Sequence, residues 1–294
     1  MKWEGVFVAT TTPFTTTGEL DLVALKAHLQ FLVQAGVHGF VPCGTTGEAS
    51  VLSRDERTKV LELTLEVANA HGRKVIAGCG GNATASVLEL VKEAKGMGCD
   101  AALVVTPYYN KPTQRGLIAH FEAIAEGSSF PIVLYNVPGR TSVNLSPETA
   151  IRLFQHPQIV AIKEASGQYG QWITLASQMD LSQKSLLAGD DDAFAAILAL
   201  GGTGIISASA NVAPNAFVQL YESAKEGNWS EAFHLQKKLL PLVKAMFAET
   251  SPAPAKAALE ILGRGSYQVR LPLVPVTQET LAQIKIALKG LELV

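Results

Sequence analysis

Ile159-Val160-Ala161-Ile162-Lys163-Glu164-Ala165-Ser166 is a short apolar run with a lysine near its centre, and runs of the same kind recur along the 294-residue chain. Side chains alternate along a strand, so Ile159, Ala161 and Lys163 share one face. Burial disfavours the charged form of an amine, and a neutral lysine amine is a nucleophile that condenses with a ketone as a Schiff base. The other reading of these residues is an edge-strand lysine whose ammonium snorkels to solvent. The surrounding sequence has to choose between them.

Working outward, β-rich runs stand at 6–10, 39–43, 74–79, 101–106, 131–137, 159–166, 185–189 and 204–209. Amphipathic stretches with readable starts lie between them. Asp21 precedes Leu22, Leu25, Leu29, Leu32 and Val33 at helical spacing, and Ser53-Arg54-Asp55-Glu56 is a capping box ahead of Val60, Leu63 and Val67. Thr84 is placed to cap a third helix, and Ser146-Pro147 supplies an N-cap with proline in the first turn of another. Eight strand–helix alternations predict an α/β fold, a parallel sheet closed into a (β/α)8 TIM barrel. The competing open doubly wound sheet lacks a GxGxxG motif at its first helix.

After 209 the alternation stops. Residues 214–225 complete the eighth unit, and helical patterns follow at 229–247, with a break or kink at Pro241, then at 253–262 and 277–288. The expected organisation is therefore a catalytic barrel over 1–225 and a C-terminal helical extension over 226–294. No Gly/Ser-rich or Pro-rich linker separates the two, so the extension is expected to pack on the barrel.

Composition narrows the function. The chain is 48% hydrophobic and 17% charged, the profile of a buried α/β enzyme rather than a disordered chain. Its 24 Lys+Arg against 26 Asp+Glu leave a net charge of -2 with no basic stripe, which argues against nucleic acid as a partner. No apolar run approaches the roughly 18 residues of a membrane span, and the first residues lead straight into a strand, so the expected location is the cytoplasm. Cys43, Cys79 and Cys99 lack CxxC spacing and read as buried, reduced side chains; the six histidines are scattered without metal-ligand spacing. Neither a metal nor a cofactor is expected.

In a barrel, chemistry gathers at the C-terminal ends of the strands. The second strand ends Cys43-Gly44-Thr45-Thr46-Gly47-Glu48, either a backbone-and-hydroxyl cradle for a small carboxylate or a glycine turn with capping hydroxyls. After the fourth stands Tyr108-Tyr109, a pair more typical of packing than of catalysis, and in the fifth Tyr135 neighbours the strand of Lys163, close enough to shuttle protons. Arg140, beyond a Pro-Gly turn, offers a planar fork for a carboxylate or is a plain surface arginine. Asp190-Asp191-Asp192 after Gly189 repels phosphate, and reads best as acid complementing a helix N-terminus.

Gly44-Thr45-Thr46-Gly47-Glu48, Tyr135-Asn136-Val137-Pro138-Gly139-Arg140-Thr141 and Ile162-Lys163-Glu164, in order and register, resemble the signatures of the pyruvate-dependent class I aldolases, and among them the dihydrodipicolinate synthase family. The resemblance runs from Thr12-Pro13-Phe14 to the C-terminal helices. It implies a cofactor-free lyase, a homotetramer built as a dimer of dimers or a homodimer, in which Lys163 forms a Schiff base with pyruvate and the enamine attacks L-aspartate 4-semialdehyde to give 4-hydroxy-tetrahydrodipicolinate. It implies that Thr45 and Thr46 hold the pyruvate carboxylate and that Tyr135 transfers protons. Tyr109 would enter the neighbouring subunit's site to complete a relay with Thr46 and Tyr135, Arg140 would receive the carboxylate of the semialdehyde, and Gly189 and Ile206 would line the pocket. Rival readings are an N-acetylneuraminate lyase-like or 2-keto-3-deoxy sugar-acid aldolase, and a non-catalytic keto-acid-binding barrel.

Two departures from the family pattern stand out. Glu249-Thr250-Ser251-Pro252 has serine where many bacterial members have asparagine. In regulated members that bind L-lysine a glutamate stands where this chain has Ser86, and Arg54 and Arg57 replace two histidines while Ala49 replaces a serine. Asn82 and Tyr108 persist as neutral contacts. Inhibition by L-lysine is expected to be weak or absent.

Overall fold

In the computed structural model, residues 2–294 are described. Eight strands hydrogen-bond in sequence order as a closed barrel: β1 Gly5–Val8, β2 Gly39–Phe40, β3 Lys74–Gly78, β4 Ala101–Val105, β5 Ile132–Asn136, β6 Ile159–Glu164, β7 Ser185–Ala188 and β8 Gly204–Ser207. The pairings are parallel. Nearly every strand residue is buried, which is why these runs are apolar almost throughout instead of alternating.

The helices are α1 Leu22–Gln34, α2 Arg54–Ala70, α3 Thr84–Met97, α4 Gln114–Ser128, α5 Pro138–Thr141, α6 Pro147–Leu153, α7 Tyr169–Gln178, α8 Phe194–Ala199, α9 Pro214–Lys225, α10 Trp229–Met246, α11 Ala253–Ile261 and α12 Gln278–Gly290. Local chemistry starts several of them as expected. Asp21 accepts from the Ala24 amide, Ser53 and Glu56 form a reciprocal capping box, and Ser146 caps α6 with Pro147 behind it. Three expectations are corrected. Thr84 is not a cap: Ala83 holds that position, and the Thr84 hydroxyl instead meets His120 Nδ1 at 2.9 Å. Of the break or kink expected at Pro241, the break is ruled out, since α10 runs through it. The second strand is two residues long, Gly39–Phe40, against an expected extension to 43: Val41 N–H still donates to the Val8 carbonyl, and the chain turns left-handed at Cys43, φ 57°.

Contacts group the chain into two compact units, residues up to Gly5 with Val75–Ile206, and Val6–Lys74 with Ser207–Val294. In the first, β1 meets β8 through Gly5 N–H donating to the Thr203 carbonyl at 2.9 Å. A side chain at Gly204 would press on that backbone, its Cβ 2.1 Å from the Gly5 carbonyl oxygen. Only glycine admits the approach.

In the second unit Asn211 ties the end of β1 to the chain after β8. Its Oδ1 accepts from the Thr11 amide and from His28 Nε2, and its Nδ2 donates to the Ala9 and Ala208 carbonyls. His28 is thus a neutral donor in a sealed site, and burial holds it down to about 4, the hydrogen bond it donates to Asn211 opposing. The unfolded chain binds a proton at His28 between pH 6.5 and 4 that the folded chain does not, so stability falls as pH drops through that window. For a shift of this size the loss is about 3 kcal/mol. Denaturant unfolding at pH 7 and pH 4 is expected to show a smaller pH difference for His28→Gln than for the native chain, and equal differences would disprove the assignment.

Candidate active site

Parallel pairing of β5 with β6 sets Tyr135 opposite Lys163 and Asn136 opposite Glu164. Because strand residues alternate, the first pair shares one face and the second pair the other. On the first face the Lys163 ammonium lies over the Tyr135 ring, 4.3 Å from its centroid, and both side chains are buried, at 6% and 7% exposure. This is the buried lysine expected from the sequence, not a snorkelling one. The contact is through the ring face, the geometry of a cation–π pair.

The opposite face explains how that pair is held. Glu164 accepts from Asn136 Nδ2 and Gln171 Nε2, each at 3.1 Å, and from the Ser166 amide at 2.7 Å; Asn144 joins the network through Asn136 and Gln171. Burial pushes the Glu164 carboxyl up, against the pull of those donors. Asparagine, glutamine and a loop amide thereby lock the ends of β5 and β6 to α7. None of these supporting roles was read from the sequence; the available signal was Asn136 and Glu164, polar residues each one step beyond Tyr135 and Lys163 in otherwise apolar strands.

Gly189 follows β7, its N–H donating to the Glu164 carbonyl at 2.7 Å, and an added Cβ would stand 2.7 Å from Ala165 Cβ. Its neighbour Asp190 was read as helix-terminal charge, yet it also belongs electrostatically to the lysine. Burial pushes its carboxyl up to about 6, Asp192 adds to the shift, and the Lys163 charge opposes it. Ile206 is fully buried in β8.

Arg140 lies in the single turn of α5, exposed. The turn is fixed from below: buried Thr141 Oγ accepts from Thr106 Oγ at the end of β4 and bonds the Val143 carbonyl. Tyr109, 89% exposed, holds a left-handed φ of 69°. That conformation is uncommon for a bulky residue.

Thr45 and Thr46 belong to the other compact unit, just beyond β2. They differ: Thr46 is buried at 5% exposure and Thr45 is exposed. The turn is bracketed by left-handed Cys43 and Glu48, and the Glu48 N–H donates to the Thr45 carbonyl at 3.0 Å. Cys43, Cys79 and Cys99 are free and buried, as the sequence indicated. Among the described residues no helix is long and apolar enough to cross a membrane.

The chain has known counterparts along almost its whole length. The chain matches the model of the Dihydrodipicolinate synthetase family over residues 2–291. It belongs to that family. A 4-hydroxy-tetrahydrodipicolinate synthase of Methanothrix thermoacetophila is 44% identical over 283 residues, 96% of this chain and 95% of its own length. Dihydrodipicolinate synthase from Thermotoga maritima, 41% identical, matches with a TM-score of 0.97 over 99% of both chains. The chloride-inhibited enzyme of Acinetobacter baumannii, solved complexed with pyruvate, is 40% identical with a TM-score of 0.96, again over 99% of both. Membership makes the chain an enzyme, a lyase of lysine and diaminopimelate biosynthesis.

Proposed function

We propose that the chain condenses pyruvate with L-aspartate 4-semialdehyde to form 4-hydroxy-tetrahydrodipicolinate, with Lys163 as the covalent centre. The observation that carries this is the buried Lys163 amine against Tyr135 on paired strands, in a chain of this family. The Lys163 amine adds to C2 of pyruvate, and loss of water leaves an imine. A proton then leaves C3, the electron pair enters the imine as an enamine, and C3 bonds to the aldehyde carbon of the second substrate. The amino group of the semialdehyde closes the ring on C2 and releases the lysine. The imine is itself the electron sink, so the scheme asks for no metal or cofactor.

In this reading residues 1–225 are the catalytic barrel and 226–294 a helical extension, and the protein works in the cytoplasm. Thr45 and Thr46 hold the pyruvate carboxylate, and Tyr135 moves protons at the imine. Gly189 and Ile206 line the pocket. Arg140 binds the second carboxylate; its position on a braced turn supports this and disfavours a sugar-acid acceptor, which needs no guanidinium there. Borohydride added with pyruvate is expected to fix a mass increment on the peptide carrying Lys163. Lys163→Ala should lose both the increment and more than about a thousandfold in coupled-assay turnover, and Tyr135→Phe about a hundredfold. An unchanged mass, or preferential cleavage of sialic acid, would sink the proposal.

Tyr109 is assigned to the neighbouring subunit's relay with Thr46 and Tyr135, which needs a homodimer at least and a homotetramer in the fuller form. Its exposure and its left-handed backbone at a loop tip support a role outside its own subunit. Sedimentation at assay concentration should find the activity in a dimer or tetramer, with Tyr109→Phe slowing turnover there; a fully active monomer contradicts the role.

Feedback is treated the same way. Ser86 is exposed and neutral where a lysine ammonium would need a carboxylate, and the cationic Arg54 and Arg57 stand in place of histidines. Loss of one charge-assisted hydrogen bond weakens binding by about 1.5 to 3 kcal/mol, a factor of ten or more. Turnover is expected to be unaffected by submillimolar L-lysine, and a saturating inhibition curve in that range refutes the expectation.

A further inference from the structure

A buried ion pair with a charged surround lies within the second compact unit. Lys256, in α11, and Glu48, at the end of the threonine turn, are ion-paired with side chains 2% and 1% exposed, across 208 residues of sequence. Lys256 Nζ also donates to the Gln268 carbonyl at 2.8 Å, and the second Glu48 oxygen accepts from the Arg270 amide at 3.0 Å. Phe14, fully buried, carries both cations on its ring, Lys256 at 4.1 Å and the Arg270 guanidinium at 4.2 Å from the centroid. Arg270 in turn bridges Glu56 of the α2 capping box and the Gly18 and Val51 carbonyls.

Two features make this more than a stabilising knot. Glu48 is a non-glycine residue in left-handed conformation, a state that persists only where its surroundings hold it. Its own N–H donates to the Thr45 carbonyl, while Thr12 Oγ fixes the Gly47 carbonyl at 2.8 Å. A Glu48 carboxylate without the Lys256 ammonium would keep only the Arg270 amide as a hydrogen-bond donor and would be an under-compensated buried charge that moves toward water, drawing the turn with it.

We propose that Lys256 is a positioning residue: from the C-terminal helices its ammonium holds Glu48, and through Glu48 it holds the Thr45-Thr46 turn in the shape that receives the pyruvate carboxylate. The inference rests on the assignment of that turn to pyruvate. Lys256 never touches substrate, so its loss weakens pyruvate binding and spares the chemical step.

Pyruvate KM, semialdehyde KM, kcat and unfolding midpoint are to be measured for Lys256→Met, Glu48→Gln, the double variant and Thr46→Val. Lys256→Met is expected to raise pyruvate KM about tenfold with kcat within about twofold and semialdehyde KM unchanged, the pattern of lost substrate binding. Adding Glu48→Gln to it should return pyruvate KM to within about threefold of native, because the stranded charge is gone. A lowered unfolding midpoint with native pyruvate KM means a purely structural knot and overturns the proposal, as does an equal fall in kcat. If Lys256→Met does not fold, Glu48→Gln alone must raise pyruvate KM, and a native value there overturns it too. Thr46→Val separates the two layers: a native pyruvate KM in that variant removes the carboxylate assignment, whereas a raised one beside unaffected Lys256 and Glu48 variants removes only the positioning role.

Discussion

The pairing of the C-terminal halves of β5 and β6, in register from Val133 and Ala161 onward, is the constraint on which the site depends. It sets Tyr135 against Lys163 on one face and Asn136 against Glu164 on the other. A slip of one residue would exchange the faces, turning the amine outward and the carboxylate inward. The Glu164 network penalises that slip, because its donors lie only on the helix side. The carboxylate next to the lysine in sequence is thereby kept from pairing with it. Asp190 is the acid that does feel the Lys163 charge, and it arrives from a different strand.

Charge is handled differently in the second unit. There the cations are paired: Lys256 with Glu48, Arg270 with Glu56, and both against the face of Phe14. Burial still holds Lys256 down to about 8 although Glu48 favours its charged form, so much of the attraction is offset by desolvation. Such a pair adds little net stability and a great deal of geometric definition. Arg270 is the stronger contributor, since its fork engages Glu56 with two hydrogen bonds and holds that carboxyl down to about 2.

The residues read from the sequence as departures from the family pattern lie outside the lysine pair. Ser251 is buried in the second unit, while Ser86 and Arg54 are exposed near helix starts.

Much of this was legible from the sequence alone because it is local. Strand and helix positions follow from apolar period and capping residues, and Asp21, Ser53 and Ser146 cap where their spacing indicates. The barrel followed from repetition, and Lys163, Tyr135 and the threonine turn from motifs placed at strand ends. Thr84 shows where a local rule loses: its hydroxyl meets His120 and does not cap α3. What only the tertiary structure decided are the partnerships between distant residues: Glu164 with Asn136 and Gln171, Asp190 with Lys163, and Lys256 with Glu48. The reason is physical. Local spacing sets which way a side chain points, but burial and the identity of its neighbour determine what its charge does, and both are fixed only when the chain closes on itself.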